Sequence, residues 1–122
     1  MAVLEKHWAT RDLHAVVDEK VSFSFTFTVV ATGQPLDISG YTFYFAAGSD
    51  WTTDTITVAD GAMTKSNSGL GITDTLTVPL SATDLGVDEG RYQYDLAADT
   101  GTQELVLVRG TLTVYTRESA VA

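Results

Sequence analysis

Two histidines, His7 and His14, stand seven residues apart near the N-terminus. On a helix that spacing would bring both imidazoles near one face. With no cysteine in the chain and no carboxylates at ligand spacing they fall short of a zinc shell, and both read as surface histidines. Asp84, Asp88 and Glu89 gather in one stretch and Asp95 and Asp99 in the next. Calcium accepts such oxygens, but neither set has ligands alternating around a central glycine as in the helix–loop–helix calcium site. Paired carboxylates also hydrolyse glycosides, where their separation decides the chemistry; nothing here fixes one. A serine or threonine nucleophile needs a positioned base, and the histidines lie far in sequence from the strand hydroxyls. Gly69 and Gly71, in SGLGI, lack the third glycine, lysine and following helix of a phosphate loop. No catalytic residue, cofactor or metal site is expected. The contact chemistry left is aromatic and apolar, with Trp8, Leu13, Tyr44 and Trp51 as the candidate subunit contacts.

The elements that must position those side chains are strands. In residues 21–30, VSFSFTFTVV, Val21, Phe23, Phe25, Phe27 and Val29 fall on one side and Ser22, Ser24, Thr26 and Thr28 on the other. Period-two alternation fits a β-strand with one apolar face and no amphipathic helix. Residues 41–47, YTFYFAA, put Tyr41, Phe43, Phe45 and Ala47 on one face, and Thr42, Tyr44 and Ala46 on the other. That second face is apolar enough for a central or covered strand, or for a contact surface at Tyr44. Further on, TDTITVA turns Ile56 and Val58 inward, DGAMTKSNSGLG reads as a polar connection, and ITDTLTVPL aligns Ile72, Leu76, Val78 and Leu80. Pro79 points to an edge or terminal position, and Ser81 N-caps a single helical turn. The clearest hairpin is RYQYDLA, residues 91–97, against ELVLVRGTLTVY, residues 104–115, with a bulge expected at Gly110.

These short strands, spaced by turn signals and lacking long helices, predict an all-β fold: an antiparallel β-sandwich of about seven strands, with a closed barrel of the same size as the alternative. Residues 1–17 read as an N-terminal arm, extended in preference to helical, residues 18–116 as the sandwich, and 117–122 as a fraying tail. Trp8 in that arm either caps its own core or docks into a neighbouring subunit. A chain of 122 residues suffices for one domain and one core without staples. Sixteen acidic residues against seven basic give a formal charge of −9. That charge repels phosphate backbones and anionic lipid, so neither nucleic acid nor a membrane is an expected partner. No window of about twenty apolar residues and no signal-peptide pattern occurs.

In order, FSFTFTV, GQPLDISGYTFYF, TLTVPLSATDL, EGRYQYDL and LVLVRGTLTV resemble small tailed-bacteriophage virion proteins with an immunoglobulin-like β-sandwich, akin to the N-terminal domain of baseplate upper proteins. Gly33, Pro35, Asp37, Ile38, Ser39, Gly40 and Tyr41 match one motif, G-x-P-x-D-[LI]-[ST]-G-[YF]. Gly90, Tyr92, Tyr94, Asp95 and Leu96 match the other, G-x-Y-x-Y-D-[LI]. The resemblance covers roughly residues 18–115 and rests mainly on folding signals. It implies a non-enzymatic structural protein of the virion, assembled in the host cytoplasm as a multi-copy, homo-oligomeric tail, baseplate or fibre-attachment component. Its partners would be other virion proteins and copies of itself. The chain departs from the baseplate pattern in offering one domain without a fibrous receptor-binding part, so capsid decoration on the head is the alternative. A carbohydrate-binding module stacking sugars on Trp51, Tyr44 and Trp8 is the third reading.

Overall fold

The computed structural model describes residues 9–29, 31–49, 54–69 and 71–116. Alternating sequence becomes β1 (Ala9–Thr10), β2 (Leu13–Val16), β3 (Val21–Thr26), β4 (Thr42–Gly48), β5 (Ile56–Ala59), β6 (Thr64–Asn67), β7 (Thr73–Leu80), β8 (Gly90–Asp99) and β9 (Glu104–Tyr115). One sheet runs β1-β9-β8-β4-β5, with β2 also on β9; the other runs β3-β7-β6. Strands β1 and β2 pair with β9 in parallel, and the remaining pairings are antiparallel.

This is an immunoglobulin-like β-sandwich. The Tyr92 hydroxyl donates to the Asp88 carbonyl at 2.6 Å, the tyrosine corner that ties the loop before such a strand to the strand itself. Two residues on, where antibody domains carry a disulfide cysteine, Tyr94 is fully buried and stacks on Phe45 with centroids 5.4 Å apart. Aromatic packing therefore fills the place of the disulfide. Phe23, Phe25, Leu76, Val78 and Leu80 of the small sheet meet Phe43, Phe45, Leu96 and Leu112 of the large one in a single core. Each fully buried side chain of this kind contributes about 1.5–3 kcal/mol as an upper bound, which is why the fold needs no cross-link.

The structure departs from the sequence reading in five places. Residues 9–16, read as part of an arm, belong to the large sheet: Leu13 sits opposite Leu112 and is only 2% exposed. Their alternation is interrupted at Arg11 and Asp12, between β1 and β2, so no sustained period announces a strand. The ladder of β3 ends at Thr26, and Val29, expected inward, is exposed because its carbonyl accepts the Thr32 and Gly33 amides of the turn. Gly33 takes φ +70° there, the left-handed conformation that glycine adopts freely. Inside the expected connection lies β6, an edge strand of polar residues with no apolar period to read.

Ile72, expected in the core, is exposed, and Asp74 takes the inward position. Its carboxylate accepts the Ser68 amide at 2.9 Å, the Ser68 hydroxyl at 2.8 Å and the Thr75 hydroxyl at 3.1 Å. Those bonds, the Ser68 hydroxyl foremost, hold its pKa below the usual carboxylate value against the opposing effect of burial. The irregularity of the hairpin falls between Leu96 and Ala97 of β8, where Leu107 of β9 is the extra residue, and not at Gly110. Glycine is required at 110 for another reason: a Cβ would run into the Arg11 carbonyl. That carbonyl accepts the Tyr94 hydroxyl at 2.5 Å across the glycine. Pro79 does lie near a strand end, opposite Ser22 and past the β6 ladder that stops at Thr64–Thr77, where no partner needs its missing amide.

Candidate functional site

Along β4 the outward residues are Thr42, Tyr44 and Ala46. Register places Tyr44 between Ala59 of β5 and Ala97 of β8, and Ala97 beside Val106 of β9. One aromatic ring thus stands in a row of small side chains. The result is a shallow groove of about 600 Å³ on the outer face of the large sheet, floored by Ala59, Ala97 and Val106 and rimmed by Asp60, Asp99 and Glu104. Tyr44 is 44% exposed, one of three large apolar side chains in the described residues that face water to this degree. The others, Val29 and Ile72, lie outside the strands.

The groove ends at a fixed corner. Strand β5 stops at Ala59, and the 3-10 turn Asp60–Ala62 follows. There the Asp60 carboxylate accepts the Phe43 amide at 2.9 Å and pairs with Lys65 Nζ at 3.5 Å. Lys65 also donates to the Tyr41 carbonyl and lies 5.6 Å from the Phe43 ring centroid. At the far end, the Asp99 carboxylate accepts the Gly101 amide at 2.8 Å and shapes the hairpin turn. One row along the sheet, Asp95 of β8 lies 4.0 Å from Arg109 of β9. Burial raises the Asp95 pKa, Arg109 opposes that, and Asp54 adds to it. The groove sets one exposed aromatic side chain between acidic margins.

The candidate chemical residues are dispersed. His14 Nδ1 lies 3.1 Å from the Tyr115 hydroxyl and its ring stacks on Tyr115. Asp84 and Ser81 bond reciprocally in a capping box, Ser81 Oγ accepting the Asp84 amide at 3.0 Å and Asp84 accepting the Ser81 amide at 2.8 Å. Glu89 accepts the Thr116 amide at 3.4 Å, just before β8, whereas Asp95 lies in the middle of that strand. Among the described residues, no group of three or more His, Cys, Asp or Glu could hold a metal ion, and no helix is long and apolar enough to cross a membrane. Gly69 and Gly71 adopt φ +114° and +79° in a turn.

Of the candidate contacts within the described residues, Tyr44 lies on this surface. Leu13 is inside the chain's own core, while Trp8 and Trp51, with His7, fall outside the described residues. The groove floor was not visible in sequence terms, because alanine carries no directional signal. The doublets Ala46–Ala47 and Ala97–Ala98 were its trace: in each, one alanine faces the core and the other leaves the outer face shallow.

No protein-family model matches the chain, and no curated protein matches it either. Among solved structures it is similar to a chain of the ZIG-8–RIG-5 IG1–IG1 heterodimer (12% identity, 93% of this chain and 89% of that one, TM-score 0.44). It is also similar to the extracellular domain of the voltage-gated sodium channel β4 subunit, described as a parallel homodimer (16% identity, 96% and 98%, TM-score 0.42). A third similar chain is AggA, the major subunit of aggregative adherence fimbriae type I from Escherichia coli (15% identity, 89% and 99%, TM-score 0.37).

Proposed function

We propose that this chain is a non-enzymatic structural protein of a bacteriophage virion, present in several copies as a tail, baseplate or fibre-attachment component. The observation that carries the assembly role is the exposed Tyr44 above its alanine-floored groove. Aromatic side chains on an otherwise polar, acidic domain are where subunit contacts concentrate their binding energy. Asp99 and Glu104 on the rim favour a neighbour with an apolar anchor flanked by basic residues. The virion context comes from the two sequence motifs around Asp37 and Tyr94.

Cryo-electron microscopy of the purified particle tests this reading. Density for the sandwich in a tail or baseplate ring, with Tyr44 under a neighbouring subunit, is the expected result. Density on the capsid lattice makes the chain a decoration protein, and absence from the particle overturns the virion reading. A glycan array on the free chain tests the sugar-binding alternative, for which binding must disappear in Tyr44→Ala.

A further inference from the structure

We infer that two copies of this chain join edge to edge along β3, in an antiparallel pairing centred on Ser24. The inference rests on the geometry of that strand and stands apart from the virion reading. The Phe27 amide donates to the Asp74 carbonyl, and the β3–β7 register keeps a constant offset from Val21–Leu80 to Thr26–Thr75. In an antiparallel ladder hydrogen-bonded pairs alternate, so Val21, Phe23 and Phe25 spend their backbone groups on β7, while Phe27 gives its amide to β7 and its carbonyl to the Leu36 amide. Ser22, Ser24 and Thr26 aim theirs outward, at the edge of the small sheet, where no further strand pairs with β3 among the described residues.

The other edges are guarded in the ways natural sheets use. Strand β6 is four residues long, carries Lys65 and has an irregular register at Ser66–Asn67. Strand β5 is equally short and ends at Asp60. The β1–β2 edge is broken at Arg11 and Asp12. Strand β3 has six residues, no proline, no charge and no bulge, on a chain of formal charge −9. Its outward side chains are hydroxyls already bonded within the sheet, Ser24 to Thr77 and Thr26 to Thr75, each at 3.1 Å, so a close neighbour meets small, uncharged groups.

A second copy fits because the pattern is its own complement. Two β3 edges related by a two-fold axis at Ser24 pair Ser22 with the other copy's Thr26 and Ser24 with Ser24, and every outward amide finds an outward carbonyl. Glu19 and Lys20, the nearest charges before the strand, fall opposite Val29 and Thr28, so neither meets a like charge. One intramolecular donor competes: Arg11 places NH1 2.6 Å from the Ser24 carbonyl, with its guanidinium 4.7 Å from the Phe25 ring centroid. Pairing replaces that bond with the partner's amide.

The test mixes charge variants of the full chain. Because residue 24 faces itself across the axis, Ser24→Lys and Ser24→Glu each weaken self-association about tenfold or more, and an equimolar mixture restores it. Sedimentation velocity reads this, and amide exchange by NMR reads the edge directly: Ser22, Ser24 and Thr26 become protected as concentration rises. Ser24→Pro, whose lost amide is not bonded to β7, abolishes the dimer and leaves the fold intact; the charge pair carries the test if that variant fails to fold. A dimer indifferent to Ser24→Lys overturns the proposal. So does protection of these amides already complete at the lowest concentration, which means the chain's own N-terminal residues cover the edge. A chain that stays monomeric at about 0.5 mM, alone and with Arg11→Ala to remove the competing donor, overturns it as well.

Discussion

Single residues hold the strands of the large sheet together at one crossing point. Arg11 donates its amide to the Arg109 carbonyl at 3.2 Å, accepts the Tyr94 hydroxyl, and passes over the one position on β9 with no side chain. Gly110→Ala is expected to destabilise the fold by about 1–3 kcal/mol through overpacking, against about 0.5–1.5 kcal/mol for the hydrogen bond lost in Tyr94→Phe. Urea denaturation of both variants orders them; a neutral Gly110→Ala would mean that β1 can lift off. Burial pushes the Tyr94 pKa up to about 12, with Arg11 opposing and Asp12 adding. Its neutral form is favoured in the fold, so the stability it contributes is intact below the ordinary value of 10.0 and is lost as pH rises toward 12. Asp74 gives the opposite limb. Its depressed pKa means stability present above the ordinary value of 3.8 and lost as pH falls through the lower folded-state value. Asp74→Asn should be less stable at neutral pH and flatter in its acid denaturation curve, read by circular dichroism. None of this was visible from residue type: Asp74 shares the parity of Leu76, Val78 and Leu80, but an aspartate reads as a surface residue and an isoleucine as a core one. The inward turn of Asp74 depends on Ser68, six residues away in sequence and brought back only by the folded loop.

At the scale of strands, legibility followed length and contrast. Strands β3, β8 and the β9 half of the hairpin announce themselves by alternating aromatic or branched residues with polar ones, and β4 by its run of aromatic residues. Strands β2 and β6 have four residues each, and β6 has no apolar face, so each is a strand only because a neighbouring ladder holds it. That distinction reverses the consequence expected of an arm. Removing residues 1–16 should unfold the sandwich instead of leaving a competent monomer, because Leu13 and Ala15 are core residues. Leu13→Ala alone should cost about 2–5 kcal/mol. Thermal unfolding of the truncated chain and of the point variant checks both, and a cooperative transition near the full-length temperature in the truncation would contradict the role of β2.

For the molecule as a whole, the sandwich class was readable from strand spacing and from the absence of long helices. The surface was readable at one residue, Tyr44, since periodicity reports which face a residue takes but not what lies beside it. If the groove is the docking surface, Tyr44→Glu should lower incorporation into assembled particles by about tenfold or more, measured by quantitative immunoblot of purified particles, with the unfolding temperature unchanged. Raised salt should weaken the same contact if the acidic rim takes part. The parallel pairing of β2 with β9 adds a mechanical property. Tension applied between residues 9 and 116 drags these strands past one another along their length, so the rungs from Leu13–Leu112 to Val16–Tyr115 bear the load together instead of opening in turn. A force-probe experiment should find a higher rupture force along that axis than between residues 42 and 59, at the open end of the antiparallel β4–β5 pair, which peels one rung at a time. A domain wired in this way can carry a pull between what is attached at its two ends.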